Sequence, residues 1–147
     1  MRRVDASLTS PALAARQTAE ALGLTARIEP ALREVDYGSW AGRTLDEVAA
    51  TEPGAVATWL SDPAASPHGG ESIVTVLHRV AEWLRTLEGP DRLVAVTHPS
   101  VLRAAVLAAL HAPPAAFWRM EAGPLGRVRL RGGRSGWVLV GCGSAGS

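Results

Sequence analysis

Between Ser72 and Leu87 six apolar residues, Ile73, Val76, Leu77, Val80, Leu84 and Leu87, recur at the i, i+3, i+4, i+7 spacing that lines one side of an α-helix. Gly89-Pro90 ends that helix. The next apolar run, Arg92 to Thr97, holds Leu93, Val94 and Val96 in a stretch that suits a buried parallel strand. Pro99 fits the first turn of a following helix that runs to about Leu110. Helix, strand and helix in direct succession imply an α/β fold, because parallel strands must be joined by crossovers.

The alternation continues toward the N-terminus. Val4 to Thr9 reads as a short strand feeding a helix that Ser10 caps, Pro11 opens and Gly23 ends. Thr25 to Glu29 is a weaker strand, followed by an irregular segment through Gly42 that carries Glu34, Tyr37, Gly38 and Trp40. Thr44 with Glu47 makes a capping box for a helix from Thr44 to Ala50. After Pro53 a second short helix holds Val56, Trp59 and Leu60 on one side, and the Pro-, Gly- and Ser-rich run Asp62 to Gly70 is a loop. Beyond Pro113-Pro114, the segments Val128 to Arg131 and Trp137 to Val140 flank a Gly-rich turn and predict a β-hairpin. Gly143 to Ser147 is expected to fray.

With 147 residues, 47% of them hydrophobic, the chain fits a single domain spanning residues 1–147. Its formal net charge is +1 and its arginines are scattered, so neither nucleic acid nor an anionic membrane is an expected partner; a small anion is compatible. Cys142 is the only cysteine, which excludes a disulfide framework or a thiolate metal cluster within one copy. No run approaches the ~20 apolar residues of a membrane span. The cytoplasm is the default expectation.

In open parallel sheets ligands bind beyond the carboxyl ends of strands, where Ser10 and His98 would both fall. His98, placed between an apolar strand and a helix, can meet a ligand there or be satisfied by local hydrogen bonds. Glu34 is either a site carboxylate or a solvated loop residue. His68 is a candidate substrate residue of the Pro/Gly loop, whereas His78, on the long helix, and His111, at a helix end, are weaker candidates. No metal-ligand spacing links them. Trp40, Trp59, Trp83, Trp118 and Trp137 suit packing better than nucleic-acid stacking. Gly70-Glu71-Ser72 supplies half of a nucleophile elbow, but Val74 stands where its second glycine belongs, and Ser72 reads as a helix N-cap.

Four segments, Ser10 to Ala19, Leu32 to Gly42, Gly69 to Ser72 and Val94 to Arg103, together resemble the histidine phosphatase (phosphoglycerate mutase-like) superfamily. The resemblance implies a three-layer α/β/α sandwich with a largely parallel sheet. It implies hydrolysis of a small phosphomonoester through a phosphohistidine, without metal or cofactor. His98 would contact the phosphoryl group, Glu34 would protonate the leaving oxygen, and Ser10 would line the same cleft. In the family a preceding strand ends in an Arg-His-Gly loop whose histidine is the nucleophile, whereas only Met1 to Ser7 stand ahead of the first matching segment here. The expectation is therefore a family member lacking one strand-helix unit, either a phosphatase in its complete form or a non-catalytic relative that binds a ligand or partner in the same cleft. Such a chain would expose a sheet edge through which it could self-associate. Two departures bear on phosphate: Ala14 falls where the family has an active-site arginine, and Pro99 follows His98 where glycine is common. Arg16, about 200° around the helix from Ala14, does not replace that arginine.

Overall fold

The computed structural model describes residues 5–87, 92–121, 126–133 and 136–144; Val4, the Gly89-Pro90 break and residues 145–147 lie outside them. Strand β1, Ala6–Thr9, is the middle of a three-stranded parallel sheet with β2, Arg27–Ile28, on one side and β3, Leu93–Val96, on the other. Helix α1, Leu13–Ala21, carries the chain from β1 to β2. It ends as a Schellman motif: Gly23 adopts φ 73°, its N–H donates to the Glu20 carbonyl at 2.9 Å, and the Leu24 N–H donates to the Ala19 carbonyl at 3.0 Å. The start of α1 differs from the expectation. Its cap is Ala12, without a side-chain bond, and Ser10 lies two residues earlier.

Helices α2, Leu45–Thr51, and α3, Pro53–Ser61, follow the acidic loop. Both hydrogen bonds of the Thr44–Glu47 capping box form. Helix α3 buries Val56 and Trp59, whereas Leu60 is 44% exposed, because each helical residue turns about 100° from the last and Trp59 takes the inward direction.

Helix α4, Ile73–Thr86, delivers the face its spacing predicts: Ile73, Val76, Val80 and Leu84 are buried, and Leu77 and Leu87 pack at the margin. Ser72 caps it by accepting the Thr75 N–H at 3.1 Å, which leaves no nucleophile-elbow role for that serine. Helix α5, Pro99–Leu110, crosses α4 and adds Val101, Ala104 and Leu107 to a core completed by Trp59 and Phe117.

Strand β3 is less enclosed than its composition suggests, with Leu93 36% exposed, since among the described residues it pairs only with β1. The expected hairpin, β4 Gly126–Gly133 and β5 Gly136–Ser144, is antiparallel and forms a separate two-stranded sheet packed on α5. Among the described residues the parallel sheet is thus three strands wide, with the hairpin apart from it.

Candidate active site

Parallel pairing in the register Thr9↔Val96 brings the ends of β1 and β3 to one edge of the sheet. The Ser10 N–H donates to the Val96 carbonyl at 2.8 Å, extending the ladder one step past β1. Ser10 Oγ then lies 2.7 Å from His98 Nε2, although the two residues are 88 positions apart. Ser10 Oγ also accepts the Ala12 N–H at 3.2 Å, so both partners are satisfied when the hydroxyl donates to Nε2 and the neutral ring keeps its proton on Nδ1.

Nδ1 faces Glu34, with Oε2 3.6 Å away. That is long for a hydrogen bond but close enough for strong attraction once His98 is charged. Glu34 points outward because its neighbours Leu32 and Val35 are buried on the core side. Its Oε1 accepts the Val35 N–H at 2.8 Å, and Thr97 Oγ1 donates to the Leu32 carbonyl at 2.6 Å, tying the acidic loop to the end of β3. The linkage Ser10, His98, Glu34 has the connectivity of a serine-hydrolase relay. Ser10 is 0% exposed, however, so its hydroxyl orients the imidazole and cannot reach a substrate atom.

Two residues that the sequence reading did not single out for the site stand beside it. Burial pushes the Tyr37 hydroxyl up, the Ser100 side chain pulls it partly back, Glu34 adds to the rise and Arg103 opposes it. Tyr37 therefore keeps its proton. The available signals were that Tyr37 shares the acidic loop with Glu34 and that Ser100 follows His98 by two residues on the opening turn of α5.

His68, the candidate substrate residue of the Pro/Gly loop, is turned into the interior. It is 3% exposed and packed against the rings of Trp59, Trp40 and Tyr37 at centroid distances of 4.6, 5.1 and 5.8 Å, while its Nδ1 accepts the Gly70 N–H at 2.9 Å. Burial lowers its pKa, only partly opposed by Asp36. His78 is exposed on α4, and His111 caps the end of α5 in the left-handed conformation at φ 52°. Of the four histidines, His98 alone joins Ser10 and Glu34. Ala14 and Arg16 are exposed on α1, and Pro99 occupies the first turn of α5.

A strand-end histidine, a facing carboxylate and a parallel α/β sheet frame the site, and comparison with known proteins gives the family. Residues 1–144 match the model of the histidine phosphatase superfamily (branch 1), and the chain belongs to that family. It is 38% identical over 109 residues to a glucosyl-3-phosphoglycerate phosphatase of Mycobacterium tuberculosis, covering 67% of this chain and 49% of the relative. The chain spans about half the length of the curated relatives it matches. The mycobacterial glucosyl-3-phosphoglycerate phosphatase solved with inorganic phosphate superposes with a TM-score of 0.75 at 30% identity, covering 93% of this chain and 75% of that one. A phosphoserine phosphatase from Entamoeba histolytica, solved with 3-phosphoglyceric acid, shares the fold with a TM-score of 0.82 at 22% identity, covering 97% of this chain and 75% of that one. The phosphoglycerate mutase-like α/β architecture is thereby established. Among the described residues no helix is long and apolar enough to cross a membrane.

Proposed function

We propose that Ser10, His98 and Glu34 belong to the phosphoryl site of a metal-independent phosphomonoesterase that acts on a small phosphorylated metabolite. The observation that carries this reading is the convergence of Ser10 and Glu34 on the two nitrogens of His98, at 2.7 and 3.6 Å. Charged His98 neutralises the phosphoryl oxygens, Ser10 fixes the ring, and Glu34 in its acid form gives its proton to the leaving oxygen as the phosphoryl group passes to an in-line nucleophilic imidazole of the family's kind, one P–O bond breaking as a P–N bond forms. The kinship with glucosyl-3-phosphoglycerate phosphatases supports a substrate of phosphoglycerate type.

The phosphohistidine route needs a second imidazole in line with the leaving oxygen. His68 is enclosed by aromatic rings, while His78 and His111 lie elsewhere on α4 and α5. These 147 residues by themselves are therefore expected to turn over an aryl phosphate negligibly between mildly acidic and neutral pH, since loss of a nucleophile costs on the order of 10⁶ in turnover. Robust turnover that survives His98→Ala would overturn both the expectation and the site. Ala14 favours a second reading, a relative that binds an anionic ligand or partner without hydrolysing it, because no guanidinium stands at that position of α1. The edge of β3 that has no strand beside it among the described residues supports association with a second copy. The single cysteine suits the cytoplasm as the place of action.

A further inference from the structure

Glu34 lies on a loop with no helix or strand of its own between residues 33 and 37, so its carboxylate must be held against His98 by other means. A single ion pair grips the loop on both sides of it. Arg79, on α4, and Glu71, just ahead of α4, meet as a fork: Nε to Oε2 at 3.1 Å and Nη2 to Oε1 at 2.9 Å, with side chains only 9% and 12% exposed. Arg79 Nη1 donates to the carbonyls of Ala31 at 2.8 Å and Arg33 at 3.0 Å, upstream of Glu34. Downstream, Glu71 Oε1 accepts the Asp36 N–H at 2.9 Å, and the Glu71 N–H donates to the Asp36 carbonyl at 2.8 Å. Arg33 adds a longer contact to Glu71 Oε2 at 3.8 Å. Burial opposes the charge on Glu71, but the hydrogen bonds from Arg79 and the Asp36 N–H, with the charges of Arg79 and Arg33, outweigh it and hold the carboxyl below its usual range.

We propose that Arg79 and Glu71 are positioning residues whose ion pair sets the Glu34 carboxylate against His98. The proposal rests on the reading of Ser10, His98 and Glu34 as a phosphoryl site. Its consequence is specific: charged His98 already has a resident anion, so an incoming phosphate competes with Glu34, and the ion pair, beside the Val35 N–H on Glu34 Oε1 and the Thr97 bond to the Leu32 carbonyl, sets how firmly Glu34 stays. Breaking the pair should loosen Glu34 and tighten phosphate binding, the opposite of what general damage to the fold would do.

The test is an NMR titration of the 147-residue protein with inorganic phosphate. Glu34→Gln is expected to tighten binding roughly fivefold, the weight of one like charge at about 4 Å in water. Arg79→Gln combined with Glu71→Gln, which strands no buried charge, is expected to give a similar gain, and adding Glu34→Gln to that pair no more. Arg79→Lys keeps the charge but not the fork, so it should fall between wild type and the pair while leaving the amide spectrum dispersed. A gain with Glu34→Gln but none with the paired variant or Arg79→Lys would overturn the positioning role and leave the phosphoryl site standing. Weaker binding in the folded variants would make the ion pair merely structural and overturn the proposal. Phosphate that moves no signal of Ser10 or His98, in wild type or Glu34→Gln, would overturn the site and the proposal with it.

Discussion

Ser10 shows how one side chain can serve backbone and site together: fully buried, it ties the first turn after β1 to the imidazole after β3. Ser10→Ala removes that partner and should cost about 1–2 kcal/mol of stability, measurable by urea denaturation, since a part-buried imidazole nitrogen loses its hydrogen bond. His68 contributes pH dependence in the histidine range, as Glu71 does in the carboxylate range. Because burial lowers the His68 pKa in the fold, the native state binds fewer protons than the unfolded chain once pH falls below the ordinary histidine value of about 6.5. Its contribution to stability is complete above that value and is lost as pH falls through the lowered folded pKa. A His68→Gln variant, which can still accept the Gly70 N–H, should show a shallower loss of stability over the same acid range; identical pH profiles would contradict the assignment. His98 and Glu34 were legible as candidates because a strand-end histidine and an acidic loop leave marks in sequence. The burial of His68 was not, since its aromatic surroundings come from Tyr37, Trp40 and Trp59 on separate segments.

The elements that periodicity or punctuation marks strongly, α4, α5, the capping box of α2 and the terminal hairpin, formed where they were expected. Strand β2 shrank to Arg27–Ile28, and Ser10 proved to serve His98 instead of capping α1, because neither outcome depends on local sequence alone. The least legible contact joins two loops. A Cβ on Gly70 would lie 2.0 Å from the Asp36 carbonyl oxygen, and one on Gly38 would lie 2.1 Å from the His68 carbonyl oxygen, so backbone meets backbone where only glycine fits. The Ser39 N–H donates to the His68 carbonyl at 2.9 Å in the same contact. Gly70→Ala should therefore cost about 2–3 kcal/mol, as overpacking against an immobile partner does, and shift the acidic loop that carries Glu34. Thermal melts with amide spectra check both effects. An unchanged melting temperature would mean that the two loops separate more easily than their spacing implies.

At the scale of the whole molecule the three strands expected from the sequence formed a parallel sheet, but they stand apart from the hairpin, and β3 has one edge without a strand beside it among the described residues. Since the Val96 carbonyl faces β1, the alternation of a strand turns the Ala95 N–H toward that edge. The protein should associate in a concentration-dependent way in sedimentation velocity, and Ala95→Pro, which removes an edge donor without touching the β1 ladder, should suppress it. A monomer at all concentrations would show that the edge is covered in another manner. Fold and site meet in one claim, that the carboxyl edge of this sheet holds a phosphoryl group at His98. Titration calorimetry with inorganic phosphate, on the wild type and His98→Ala, tests it most directly. Weak binding is expected, because Ala14 supplies no cation and Glu34 competes, and it should disappear with His98. Tight binding that survives His98→Ala would contradict it.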